Sequence, residues 1–216
     1  MITRDYFLRM IQMLAQVLAR VLGLRETKQY DEAYDLIRQT SRQFLGVDGK
    51  LLNTLSVAEL IRLLDLGDRF DAEKCVVAAE LLRMTAELEE LQGKHDESYQ
   101  TSIKSLNLFL ELLFRETGAM PKEFFEKVDH LIESLSLYDL PFELRQKLFR
   151  YYDLSGQYAM AEDILFDIVG EDPGMVNEGV RFYERLRGRT DDDLIRGNLP
   201  RYEVEAGLLE LTKRVE

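Results

Sequence analysis

The chain of 216 residues is poor in cysteine, tryptophan and proline: one, none and four, with no proline before Pro121. A lone cysteine forms no internal disulfide, so a reducing, cytoplasmic compartment is the expectation. A long opening stretch without proline lacks the strongest helix breaker and favours long helices over a turn-rich β fold. Long uncharged apolar runs are missing too, and none reaches the roughly 18–20 residues of a membrane span. The N-terminal apolar segment is broken by Arg9, Gln12, Gln16 and Arg20, and Asp5 sits where a secretory signal carries basic residues. Positive charge is scarce, 28 Lys+Arg against 40 Asp+Glu for a net −12. Nucleic acid is therefore not expected as a partner, because phosphate binding needs clustered Lys and Arg. There is no Gly-rich phosphate loop, no H-E-x-x-H and no G-x-S-x-G.

What remains is the composition of a folded protein, 46% hydrophobic and 31% charged, long enough for one large or two small domains. Apolar residues recur at three- and four-residue steps almost throughout. Phe7, Met10, Ile11, Leu14, Val17, Leu18, Val21 and Leu22 predict one long helix over about 3–24. Ala33, Leu36, Ile37 and Phe44 predict a second over about 31–44, followed by a loop from Gly46 to Asn53. Ser56 and Glu59 form an S-x-x-E capping box for a short third helix ending at Gly67. Helices over about 71–92 and 96–113 follow, separated by Gly93. Pro121, Pro141 (with Asp139 as cap), Pro173 and Pro200 mark further helix starts, and Gly188 to Asn198 reads as polar and irregular. The expected fold class is all-α: about ten helices in antiparallel hairpins.

The clearest hairpin, Phe142 to Gly174, reads FELRQKLFRYYDLSGQYAMAEDILFDIVGEDPG. Gly156 permits the positive φ that ends its first helix, Tyr158 packs across the turn and Ala161 lets the second helix approach. With Leu148, Tyr152 and the closing Pro173, this segment resembles the tetratricopeptide repeat family, a 34-residue helix–turn–helix. Arg145, Phe149 and Ile168 depart from the pattern, which predicts wider helix spacing. Lys28 to Ala33 and Gly93 to Ser98 are weaker copies, offset by 65 and 63 residues rather than by a multiple of 34. The chain is also similar to small bacterial repeat proteins of unassigned function. The resemblance implies one domain over 1–216, a stacked right-handed solenoid with its best repeat at 142–174 and a capping helix over about 200–215. It further implies that Gln146, Arg150 and Asp153 face a peptide-holding groove.

Candidate chemistry is sparse. Glu126, His130 and Glu133 share one helical face, yet the opposite face is apolar, so solvated polar groups are the simpler reading than metal ligands. Asp191, Asp192 and Asp193 lack the ligand alternation of a calcium loop and fit a solvated loop or a helix N-terminus. Cys75 lies between apolar residues and reads as packing. No enzyme, cofactor or metal site is expected. Arg181, Arg185 and Arg189 step by four, with Arg187 nearby, so Arg181 and Arg185 join the groove residues as a candidate clamp for an acidic peptide. Glu178 and Glu184 alternate with them, and a salt-bridged solvent face is the alternative. The two-sided apolar first helix predicts either burial or a homodimer seam. Residues 1–45 carry net +2, residues 46–174 net −13 and the last 42 net −1, so the acid is central. The functional expectation is a scaffold that binds a protein or peptide partner. The alternative is a sensor whose small-molecule ligand sits between helices.

Overall fold

A computed structural model describes residues 4–66, 69–116 and 121–215, with side chains over 12–65, 70–116 and 121–214. The chain divides into two compact units, Met1–Tyr138 and Asp139–Glu216. Among the described residues it is all-α, with twelve α-helices and one two-residue antiparallel pair, Asp65–Leu66 against Arg69–Phe70.

The first unit contains α1 (Arg4–Glu26), α2 (Tyr30–Leu45), α3 (Gly49–Thr54), α4 (Val57–Leu64), α5 (Ala72–Leu91), α6 (His95–Arg115) and α7 (Lys122–Ser134). Fourteen of the twenty α5 residues are buried, which makes it the central helix of the unit. Helix α6 runs back along it after Gly93, whose φ of +72° turns the chain. Small residues line this seam. Ser98 Oγ donates to Ala86 O at 3.0 Å and Ser105 Oγ to Ala79 O at 2.8 Å, so each hydroxyl is satisfied where the helices approach closely. Cys75 is buried here, its thiol directed at Leu108 O at 3.3 Å, and burial pushes its pKa up, away from the reactive thiolate.

The second unit contains α8 (Phe142–Ser155), α9 (Tyr158–Glu171), a 3-10 turn at Pro173–Met175, α10 (Val176–Arg187), α11 (Asp191–Arg196) and α12 (Arg201–Val215). Gly156, at φ +78°, ends α8, and Tyr158 and Ala161 are buried at the start of α9. Helix α12 packs on α10 through small residues. A Cβ at Gly179 would collide with Leu211 and lie 3.1 Å from Leu165, and one at Gly207 would collide with Tyr183.

Caps explain the boundaries. Ser56 and Glu59 form the expected box, with Glu59 N donating to Ser56 Oγ at 3.3 Å and Ser56 N to Glu59 Oε2 at 2.8 Å. Helix α4 stops at Leu64, before the expected end at Gly67, which lies outside the described residues. Pro141, rather than Asp139, occupies the N-cap position of α8. Two stretches expected as loops hold short helices. Asp48 caps α3 by accepting from Lys50 N at 2.9 Å, within the span read as a loop from Gly46. Thr190 caps α11 by accepting from Asp193 N at 3.2 Å, and the acidic run Asp191–Asp193 forms its first turn, where negative charge favours the helix dipole.

Candidate functional site

The five residues singled out in the sequence all lie on α8 and α10. Gln146, Arg150 and Asp153 follow one another at steps of four and three along α8, which places them on one helical face. Two contacts tie α8 to α10. Phe149 and Phe182 meet edge to face, with ring centroids 5.4 Å apart. At the polar rim Asp153 forms an ion pair with Arg185. Gln146 Nε2 donates to Met175 Sδ at 3.2 Å, just before α10 begins. Arg150, Arg181 and Arg185 are all exposed. Arg181 Nη1 lies 3.4 Å from Glu178 one turn back, a surface pair of small energetic weight.

The arginine strip is shorter than its spacing predicts. Helix α10 ends at Arg187, so Arg189 lies beyond it, its carbonyl accepting from Arg201 Nη2 at 2.7 Å. Arg187 itself pairs with Glu205 at 3.1 Å. The side chains on this face therefore include the cations Arg150, Arg181 and Arg185, of which Arg181 is engaged by Glu178 and Arg185 by Asp153.

The other sequence candidates are not brought together. Glu126 pairs with Lys122 at 3.2 Å, and His130 Nδ1 lies 3.9 Å from Glu133, all on the exposed face of α7. Among the described residues no three His, Cys, Asp or Glu side chains are grouped to hold a metal ion. No described helix is long and apolar enough to cross a membrane.

Sequence reasoning missed a charged row inside the first unit. Glu80, only 2% exposed, pairs with Arg83 at 3.0 Å and with Lys127 from α7. Arg83 also pairs with Glu87, which in turn accepts from Arg25 of α1 at 2.9 Å. The signal was present in part: Glu80, Arg83 and Glu87 recur at three and four steps on a helix whose other residues are mostly apolar. A second buried polar group stands nearby on α5. Glu89 is 8% exposed, accepts from the Thr101 side chain, and its Oε2 has no hydrogen-bond partner among the described residues. Burial pushes its pKa up, and burial first, with the Glu89 charge second, raises that of Tyr34 to about 12.

Among the described residues the fold is thus that of an all-helical protein whose neighbouring helices pack on one another. The chain belongs to a family of unknown function (DUF6483), whose model matches residues 1–216. No curated protein and no solved structure matches it.

Proposed function

We propose that the chain is a non-catalytic helical-repeat scaffold of tetratricopeptide-like type, and that the α8–α10 face of its second unit binds an acidic protein or peptide segment. The observation that carries this reading is the convergence of all five candidate residues on two helices in mutual contact, with three exposed guanidiniums among them. Gly156, Tyr158, Ala161 and Pro173 support the repeat assignment, because each occupies the turn, packing or stop position its residue type suits. In this reading Arg150 and Arg181 receive carboxylates of the partner in bidentate geometry. Asp153 holds Arg185 in place until a partner carboxylate replaces it. Helical hairpins leave such a face free because their apolar stripes are spent on one another.

The test is fluorescence anisotropy with labelled Asp- and Glu-rich peptides, free and amidated at the C-terminus. The triple variant Arg150→Ala, Arg181→Ala, Arg185→Ala should bind at least about tenfold more weakly, the loss expected for one or more charge-assisted contacts. Asp153→Asn should bind more tightly, because it releases Arg185. A triple variant that keeps the wild-type affinity for every peptide removes the clamp.

A further inference from the structure

The charged row of the first unit plays no part in the α8–α10 face, and its arithmetic is uneven. Along Arg25, Glu87, Arg83, Glu80 and Lys127 the charges alternate, giving three cations to two carboxylates. The row therefore keeps one surplus positive charge in a chain of net −12. Its central members are well shielded, with the Arg83 side chain 12% and that of Glu80 2% exposed. A buried ion network is at best about neutral for stability when compared with well-packed apolar residues. Here, moreover, the row borders open space that apolar replacements would fill.

That space is a cavity of about 200 Å³ where α1, α5 and α7 meet. Leu18, Leu22, Met84 and Leu88 give it an aliphatic lining, while Arg25, Arg83, Glu87 and His130 supply polar groups. An aliphatic wall beside a few convergent polar groups is the usual make-up of a small-molecule site. A dry cavity of about 150 Å³ holds benzene, so about 200 Å³ accommodates roughly eight heavy atoms.

We propose that this cavity binds a small monocarboxylate with an apolar body of roughly five carbons. The carboxylate lies against Arg25 and Arg83 and neutralises the surplus charge of the row, while the hydrocarbon rests on Leu18, Leu22, Met84 and Leu88. Among the described residues Arg25 uses Nη1 towards Glu87, which leaves Nε and Nη2 to receive a second carboxylate. A cationic ligand would meet the surplus positive charge and be repelled. A phosphate dianion would overshoot the single charge available and leave the aliphatic lining without a partner. The site belongs to the first unit and stands or falls independently of peptide binding by the second.

Calorimetry on the full chain with sodium hexanoate, hexan-1-ol, hexylammonium chloride and inorganic phosphate decides the matter. Hexanoate should bind with Kd of about 1 mM or tighter, and the other three at least about tenfold more weakly. Arg25→Gln, at the half-exposed end of the row, should weaken hexanoate about tenfold. Leu22→Trp, which fills the cavity while keeping every charged residue of the row, should abolish binding and supplies an independent check if Arg25→Gln loses its circular dichroism. Equal affinity for hexan-1-ol or phosphate, an unchanged response in folded Arg25→Gln, or no binding of hexanoate up to about 20 mM would each overturn the proposal.

Discussion

Replacing Gly207 by Ala offers the sharpest test of the packing in the second unit. Gly207 sits within α12 against Tyr183 of α10, and an added methyl would overlap the ring carbon and hydroxyl and come within 2.6 Å of Tyr183 Cε1. The ring cannot retreat freely. It is fully buried, lies edge-on to Phe182 with centroids 5.1 Å apart, and its hydroxyl donates to Glu162 on α9 at 2.5 Å. Burial pushes the pKa of both partners up. Overpacking of this kind costs about 1–3 kcal/mol, and weakening a hydrogen bond to the half-buried carboxylate about 1.5–3 kcal/mol more. Alanine returns about 1 kcal/mol of helix propensity over glycine. The net expectation is a loss of about 2–5 kcal/mol, seen as a lower urea midpoint for the second unit by far-UV circular dichroism. Gly23→Ala is the matched control. It is exposed on α1 with nothing within 4 Å of a new methyl, so only the propensity gain of about 0.5–1 kcal/mol should appear. Midpoints that move in the same direction for both variants would refute the reasoning.

Two further outcomes follow from local backbone and burial. Lys28 adopts φ +58° between α1 and α2, where the later turns place Gly93 and Gly156 at +72° and +78°. Lys28→Gly should therefore stabilise the first unit by about 0.5–1 kcal/mol, the left-handed penalty less the extra freedom of glycine in the unfolded chain, and a lower melting temperature would count against it. Glu89 has a folded-state pKa above its unfolded value because it is buried, so its contribution is fully favourable only below the unfolded pKa and is lost as pH rises through the folded one. Glu89→Gln should thus gain stability relative to wild type as pH increases from about 4 to 8, and a difference that stays flat or falls in paired urea titrations would exclude this account.

Some helix ends were legible from their side-chain and backbone chemistry. Ser56 with Glu59, Gly93 and Gly156 each stood out in the sequence and each does its expected work. Helices α3 and α11 escaped because six residues make fewer than two turns, too few for apolar periodicity, leaving only Asp48 and Thr190 as signs. The α8 half of the candidate face, Gln146, Arg150 and Asp153, came from the resemblance to the tetratricopeptide pattern and not from any local signal of its own. The Asp153–Arg185 pair was not legible, because its partners are 32 positions apart. The same holds more strongly for the buried row, whose outer cations reach their carboxylates across 62 and 47 positions. Periodicity reports which face a residue shares with near neighbours on its own helix, and it carries no information about which distant helix will meet that face.

The departures from the repeat pattern have an explanation that only the tertiary contacts supply. Arg145 stands where a large apolar residue is expected, and its side chain spans the hairpin to Asp167 at 2.5 Å and to Glu171, both on α9. Those two carboxylates raise its already high pKa, so the charge stays fixed at any working pH. Phe149 stands where a small residue is expected, and its ring meets Phe182 instead of leaving room for a closer helix. In both cases a substitution that weakens the sequence match adds a contact between elements: α8 to α9 by charge, α8 to α10 by aromatic packing. A weak match to the tetratricopeptide pattern in sequence is therefore no measure of looseness in the α8–α9 hairpin. The positions that break the pattern bind the candidate face to its neighbours, so under the proposed function a partner carboxylate would meet helices already held in register.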